Sequence, residues 1–341
     1  MPLKFAISEV INRRDLSLEQ AEVAMNIIMN GEASPAQIGS YLTALRMKGE
    51  TVAEIAGSAR AMRSHVVRVS PHLTGDELLL DTCGTGGDGK HTFNISTTAA
   101  FVVAGCGYKV AKHGNRAASS QCGSADVLIA LGGNLNLTAA QVAGCVDGVG
   151  IGFLYAVNHH PAMRHAIGPR REMGQRTIFN LLGPLTNPAG ATHQLIGVYD
   201  PALTEPIAQV LGALGGRAAL VVHGADGLDE LSTTGMNRVS ELRSGRVHTF
   251  TLDPQDFGLP LAQVNDLIGG TAPENAQISR DILSGRDTGP RRDIVLLNAA
   301  AALYLITPNW PAALAKARQS LDSGAAHQKL EEWIGQTNRY L

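Results

Sequence analysis

Leu78–Gly107 reads LLLDTCGTGGDGKHTFNISTTAAFVVAGCG. An apolar run, a glycine-rich turn and a second apolar run spell strand, turn and helix, a local order that makes a general anion site. Backbone N–H groups converge in such a turn, and the helix start adds positive potential. The run from about Ser96 to Ala104 is apolar nearly all round, which predicts a buried helix with its end aimed inward. Two nucleotide motifs overlap here. Gly84, Gly86 and Gly89 fit G-x-G-x-x-G, while Gly84, Gly89 and Lys90 fit all but the last position of G-x-x-x-x-G-K-[ST]. The first needs an acid about 20 positions on, to hold a ribose hydroxyl. The next strand instead ends in AKHGNRAASS (111–120), with basic Lys112, His113 and Arg116. The second needs Ser or Thr after the lysine, where His91 stands. Neither motif is complete, but the anion-binding logic survives both. Two successive strand ends carry phosphate-friendly chemistry, at the place where open α/β sheets bind ligands.

Outward from this stretch, the first 70 residues read as helices. Ser17 with Gln20, Ser34 with Gln37 and Thr51 with Glu54 fit the capping box, and Pro35 suits a first helical position. Gly31 and Gly49 stand where helices should stop. From about residue 76, short apolar strands (LLLD, YKVA, IGFLYA, QLIGVY, AALVV) alternate with helical stretches such as Thr138–Val146 and Leu203–Leu214. Val239–Leu252 reads as an edge hairpin, and the last third ends in helices. The expected architecture is α/β: a small all-helical N-terminal domain (1–70) and a larger α/β domain (76–341) with a mostly parallel central sheet flanked by helices. Four short helices make a thin core, so an apolar face left for a second subunit is expected.

Composition narrows the function classes. The 341 residues carry a net charge near −2, which gives no reason to expect nucleic acid or an acidic membrane as partner. Cys83, Cys106, Cys122 and Cys145 show no C-x-x-C spacing, so a reducing, cytoplasmic setting is expected. The opening residues show no leader-like pattern. The longest apolar stretch, Ile294–Ile306, has 13 residues interrupted by Asn298, short of the ~20 that span a bilayer.

Six blocks, in order, resemble the anthranilate phosphoribosyltransferase family: ALRMKGET (44–51), GTGGDGKHTFNIST (84–97), KHGNRAASSQCGSADVLIALG (112–132), HHPAMRHAIGPRREMGQRTIFNLLGPLTNPAG (159–190), HGADGLDELSTTG (223–235) and GPRRDIVLLNAAAALYL (289–305). The resemblance implies a helical domain joined to an α/β domain like that of nucleoside phosphorylases. It also implies a homodimer formed through the helical domains, with a contribution from about 160–185. The activity implied is Mg²⁺-dependent transfer of phosphoribose from 5-phosphoribosyl 1-diphosphate (PRPP) to the amine of anthranilate, in tryptophan biosynthesis. Hinges near 70–76 and 160–185 would close the cleft.

By the same resemblance Gly84, Gly87, Asp88, Thr92, Asn94, Ile95, Ser96 and Thr97 approach PRPP. So do Lys112, His113, Gly114, Asn115, Arg116, Ala117, Ala118, Ser119, Ser120 and Ser124. Asn, Ser and Thr also cap helices well, and NIST (94–97) is expected both to cap and to bind. Asp88 is either a turn former or a group acting through Mg²⁺ and water. Arg170, with Gly84 and Asn115, is assigned to anthranilate, since guanidinium pairs with carboxylate and lies over rings. His113, Tyr155, His160 and Pro184 line the wall, while Arg171 and Arg176 are surface or structural, and His159 and His165 are satisfied structural histidines. Ser96, Asp229 and Glu230 would hold Mg²⁺. The ordinary reading of the acid pair is dipole compensation at a helix start, and Asp226 is a turn former. No covalent nucleophile is expected. The rival readings are a pyrimidine nucleoside phosphorylase and an idle relative that binds nucleic acid or a partner.

Overall fold

The computed structural model describes residues 2–75, 77–117 and 121–341. Four helices open the chain: α1 (Leu3–Ile11), α2 (Leu18–Met29), α3 (Pro35–Lys48) and α4 (Val52–Ser64). All three expected capping boxes form, at Ser17, Ser34 and Thr51. The third does more than cap. Glu54 is buried, and besides meeting Thr51 it accepts from Leu16 N at 3.0 Å and from Lys48 Nζ at 3.0 Å. The box therefore anchors both the α1–α2 connection and the end of α3.

The sheet has seven strands: β1 (Leu79–Gly84), β2 (Lys109–Gly114), β3 (Ile151–Tyr155), β4 (His193–Gly197), β5 (Ala218–His223), β6 (Asn237–Arg243) and β7 (Arg246–Leu252). Their order is β3-β2-β1-β4-β5-β6-β7, parallel through β5 and antiparallel for β6 and β7. The edge hairpin turns on Ser244 and Gly245, both left-handed (φ 52° and 73°), the turn whose twist suits adjoining strands. Strand order reverses beside β1, so β1 and β4 flank the crevice where such sheets bind ligands.

Helices α5 (Ile95–Gly105), α6 (Ser124–Ala130) and α7 (Ala139–Val149) serve the first strands, and α8 (Ala156–His159), α9 (Arg164–Met173) and α10 (Phe179–Leu185) lead from β3 to β4. After α11 (Thr204–Ala213) and the hairpin come α12 (Ala272–Leu283), α13 (Pro290–Tyr304), α14 (Trp310–Asp322) and α15 (Ala325–Asn338). No helix among the described residues is long and apolar enough to cross a membrane. Alternation along the strands feeds two cores. Leu195, Leu220 and Val222 face one packed with α5 and α13, while Ile196, Val198, Ala219 and Val221 face another shared with α2, α3, α4 and α11. The helical domain shares this second core with the α/β part instead of closing on itself. Arg63 of α4 seals the junction, donating to Leu185 O at 2.7 Å and Leu214 O at 3.2 Å, carbonyls at the ends of α10 and α11.

Helices α2 and α4 meet at Gly57, where an added Cβ would lie 2.1 Å from Leu18 O, a backbone atom that cannot swing aside. Gly57→Ala is expected to destabilise the fold by about 1–3 kcal/mol, read as a lower midpoint in denaturant unfolding. An unchanged midpoint would show that the α2–α4 contact is looser than this geometry requires.

Candidate active site

Gly84 on β1 and Gly197 on β4 are register partners at the carboxyl ends of adjacent strands. Asp229 lies directly over them, its backbone on Gly197 and its carboxylate on Gly84. A Cβ on Gly197 would sit 1.5 Å from Asp229 O, and one on Gly84 would sit 2.3 Å from Asp229 Oδ2. At Gly197 the contact is with backbone, which cannot swing aside, so only glycine admits the crossing there. The crossing brings the β5–β6 connection down onto the glycine loop, where Gly86 N donates to Asp229 Oδ2 at 2.6 Å and Asp229 N to Asp88 Oδ2 at 3.4 Å. Asp88 also accepts from Lys90 N at 3.1 Å, so in this structure it shapes the turn. Gly197 is a residue the sequence reading missed, and a lone glycine ending a strand carries no motif to flag it.

Two expectations are corrected at the start of α5. Asn94 occupies the N-cap position but its side chain makes no cap bond. It is turned to Cys122 and Asn275 instead. The acid pair does not open a helix, because an irregular connection follows Asp229 and Glu230. Glu230 complements a different helix: its Oε1 accepts from Ser96 N at 3.2 Å, in the first turn of α5. Lys112, buried on β2, reaches across to donate to Thr82 O and, at 3.2 Å, to Ser96 Oγ. Ser96, Lys112, Asp229, Glu230 and the glycine-loop N–H groups therefore converge on one spot, although Glu230 lies 134 positions from Ser96 and Asp229 lies 143 from Gly86.

The acids are costly to keep charged there. Desolvation raises the Asp229 carboxyl well above its ordinary range, aided by repulsion from Glu230 and then Asp88. Desolvation likewise lifts Glu230 to about 7, opposed chiefly by Lys112 and Ser96. A divalent cation is the natural complement to such a pair. Among the described residues no group of three or more His, Cys, Asp or Glu forms a ready-made cage. That suits Mg²⁺, which takes one or two carboxylates and leans on substrate phosphates and water. The pair is held from behind by Asn298, fully buried on α13. Its Oδ1 accepts from Leu231 N at 3.1 Å and its Nδ2 donates to Leu231 O at 2.8 Å, one residue past Glu230. Asn298 is a second residue the sequence reading missed; its only signal was polarity inside an apolar run. Asp226 shapes its turn as expected, accepting from Leu228 N and Ser232 Oγ.

The second strand-end loop is held by Asp126, which accepts from Ala117 N at 3.0 Å and Gly123 N at 3.0 Å. Ser124 Oγ donates to Asn115 O, beside Gly114, whose added Cβ would sit 2.2 Å from that hydroxyl. Arg116 is tied to Tyr155 OH and Asp126. Thr92 pairs with Ile268 as an isolated bridge, and Ile95 and Thr97 are buried. Ala118, Ser119 and Ser120 lie outside the described residues. Beside this loop, buried His113 and His160 meet Nε2 to Nε2 at 3.1 Å, and His113 Nδ1 lies 3.1 Å from Gly183 O. A carbonyl can only accept, so His113 Nδ1 carries the proton and His160 Nε2 donates to His113. Desolvation holds both below their ordinary range, His160 at about 4, so the pair is neutral at pH 7. Helix α10 frames this wall. Gly183 takes the His113 bond, buried Pro184 accepts from Gln194 Nε2, and Phe179 lies under Arg170, 5.0 Å from its guanidinium carbon. Arg171 is exposed. One side-chain reading changes: His159 bonds Val67 O through Nδ1 but its buried Nε2 has no partner, whereas Arg176 is exposed and structural, donating to Gly87 O and lying 4.2 Å over the Tyr199 ring.

Glu230 gives a pH-dependent prediction with a defined sign. Its folded value, about 7, lies above the ordinary 4.5, so the folded state holds a proton that the unfolded state releases across that window. The metal-free protein therefore loses stability as pH rises from about 4.5 to 7. Glu230→Gln keeps an acceptor for Ser96 N but no charge. In thermal melts without metal it is expected to exceed the parent by roughly 2–4 °C at pH 8, with the gap closing near pH 4.5. A constant gap across pH would refute this.

Comparison with known proteins follows the same architecture. Residues 4–66 match the helical bundle domain of the glycosyl transferase family, and residues 76–327 match its α/β domain. The anthranilate phosphoribosyltransferase of Moorella thermoacetica is 57% identical, over 97% of this chain and 97% of its own. The crystal structure of the Thermus thermophilus anthranilate phosphoribosyltransferase superposes with a TM-score of 0.92 at 44% identity, over 98% of this chain and 99% of that one. The Saccharomyces cerevisiae enzyme, solved in complex with PRPP and Mg, gives 0.89 at 31%, over 99% and 98%. With both domains matched in order and identity above half along nearly the whole length, the chain belongs to the anthranilate phosphoribosyltransferase family.

Proposed function

We propose that this chain transfers phosphoribose from PRPP to the amine of anthranilate, giving N-(5-phosphoribosyl)anthranilate and diphosphate. The observation that carries the reading is the convergence of the α5 N-terminus, Lys112, the glycine-loop N–H groups and the Asp229–Glu230 pair at the β1–β4 crevice. Breaking the bond at ribose C1 develops positive charge on the sugar and negative charge on the departing diphosphate. The protein's task is thus alignment and charge stabilisation, with no covalent intermediate. Lys112 and the N–H groups of the loop and of α5 face the diphosphate and hold it as charge grows. Ser96, Asp229 and Glu230 would hold Mg²⁺, which would supply further positive charge to the leaving group. The second loop, Lys112 to Ser124, binds the rest of PRPP.

Arg170, half-buried over Phe179, pairs with the anthranilate carboxylate and orients the ring. The neutral His113–His160 pair supports that division of labour, since an uncharged wall leaves Arg170 as the cation that claims the carboxylate. An aromatic amine is neutral at pH 7 and attacks without prior deprotonation. We further propose a homodimer through the helical domain, whose α1 and α3 leave Phe5, Ile11 and Met47 exposed.

The direct test is loss of anthranilate fluorescence on mixing with PRPP, expected with Mg²⁺ and absent without it. Phosphorolysis of thymidine with no PRPP turnover would overturn the reading in favour of a nucleoside phosphorylase. Arg170→Ala is expected to raise the KM for anthranilate about tenfold or more, as for a lost charge-assisted pair, with PRPP demand little changed; a pure PRPP defect would contradict the assignment. Glu230→Ala should remove most turnover from a folded enzyme, and full activity in saturating PRPP and Mg²⁺ would exclude its metal role.

A further inference from the structure

The glycine loop does not support itself. Gly86, Gly87, Gly89 and non-glycine His91 are all left-handed (φ 68°, 80°, 71° and 56°), so a regular hydrogen-bond pattern is impossible through it. Its second half is held from outside, by residues 266–270. Gly269 N donates to His91 O at 2.9 Å, Phe93 N donates to Leu267 O at 3.3 Å, and Thr92 pairs antiparallel with Ile268. The fit is close: a Cβ on Gly269 would lie 2.6 Å from Phe93 N. Arg291 of α13 braces the far side of this segment, donating to Asp266 O at 3.0 Å and Ile268 O at 3.1 Å.

We propose that residues 266–270 are a fixed strap for the PRPP loop and that Asn275, buried in the first turn of α12, is the positioning residue that couples strap to loop. Asn275 Oδ1 accepts from Gly270 N at 2.8 Å, and its Nδ2 donates to Asn94 Oδ1 at 3.1 Å. One turn on, Ser279 Oγ meets Thr98 Oγ1 at 2.9 Å, so the same face of α12 grips the start of α5 twice. The Asn275 bond fixes which way the Asn94 amide faces, because Asn94 Nδ2 is then left to donate to Cys122 O at 3.3 Å. Asn94 thus joins the first phosphate loop to the segment that follows the second. Its orientation explains why it does not cap α5: with its side chain committed elsewhere, the α5 N–H groups stay directed at the crevice.

This inference rests on the PRPP reading of Asn94, and the test separates the two. Asn275→Asp keeps the size of the side chain and the acceptor for Gly270 N, but sets oxygen against Asn94 Oδ1. Asn94 can relieve that only by turning its amide over, which places Oδ1 against Cys122 O. In the full-length enzyme, Asn275→Asp is expected to raise the PRPP KM about tenfold, the scale of one well-placed hydrogen bond to a misdirected group. The anthranilate KM should stay within about twofold, a split that general loosening of the fold would not give. On an Asn94→Ala background the same change is expected to add no further loss of PRPP affinity. A folded Asn275→Asp enzyme with unaltered PRPP KM, or losses that simply add, would overturn the proposal. Should Asn275→Asp not fold, Arg291→Gln, at the surface, decides the matter. It is expected to raise the PRPP KM by about threefold while sparing anthranilate, and an unchanged PRPP KM overturns the strap. Parent enzyme that fails to bind PRPP with Mg²⁺ in calorimetry would instead sink the functional reading, and this inference with it.

Discussion

The seating of Asp229 on Gly84 and Gly197, carboxylate on the first and backbone on the second, is the contact on which the site depends. Two strands normally present side chains at their carboxyl ends, and those side chains would hold any neighbouring segment several ångströms away. With Cβ atoms absent from both register partners, the β5–β6 connection lies directly on the strand ends. Asp229 then meets Gly86 N, and Glu230 meets the first turn of α5. The energetic cost is visible in both acids, whose carboxyl groups are driven upward chiefly by desolvation, Asp229 further by Glu230 and both by Asp88. A divalent cation bound between them, as proposed above, would offset that cost.

The second organising feature is the shared core. Helix α11 packs on one face of the sheet and α4 packs on α11 and α10, so what reads as a separate domain shares a core with the α/β body. Arg63 reinforces this by bonding the last carbonyls of α10 and α11. Helix α10 in turn carries the His113 acceptor and the ring beneath Arg170. The side of the site around Arg170 and His113 therefore rests on the junction between helical and sheet regions, while the side around the glycine loop rests on β1, β2 and α5. Two substrates, two supports: relative movement of these supports would change the distance between the reacting groups.

Much of this was legible in the sequence. The capping boxes form because Ser, Thr, Gln and Glu at those spacings satisfy helix N–H groups whatever surrounds them. The five parallel strands and the edge hairpin follow from apolar runs broken by glycine turns, and the strand–turn–helix at Leu78–Gly107 marked a candidate anion site because its donors are local backbone groups. Resemblance carried the residues that composition alone leaves ambiguous, above all Asp229, Glu230 and Arg170.

The rest depends on which distant atoms meet, and no local pattern encodes that. Sequence placed Asp229 and Glu230 at a helix start, whereas the fold sets them against the start of another helix far away in the chain. Sequence gave Asn94 a cap, whereas α12 takes its side chain away. Gly197, Asn275 and Asn298 carry no motif, since each acts on one backbone segment brought to it by packing. By itself the sequence determined the elements, their order and the chemical nature of the site, because those follow from short-range periodicity and hydrogen-bond satisfaction. The tertiary structure alone decided which acid faces which helix and which amide holds which loop, because those contacts exist only once the two cores have formed.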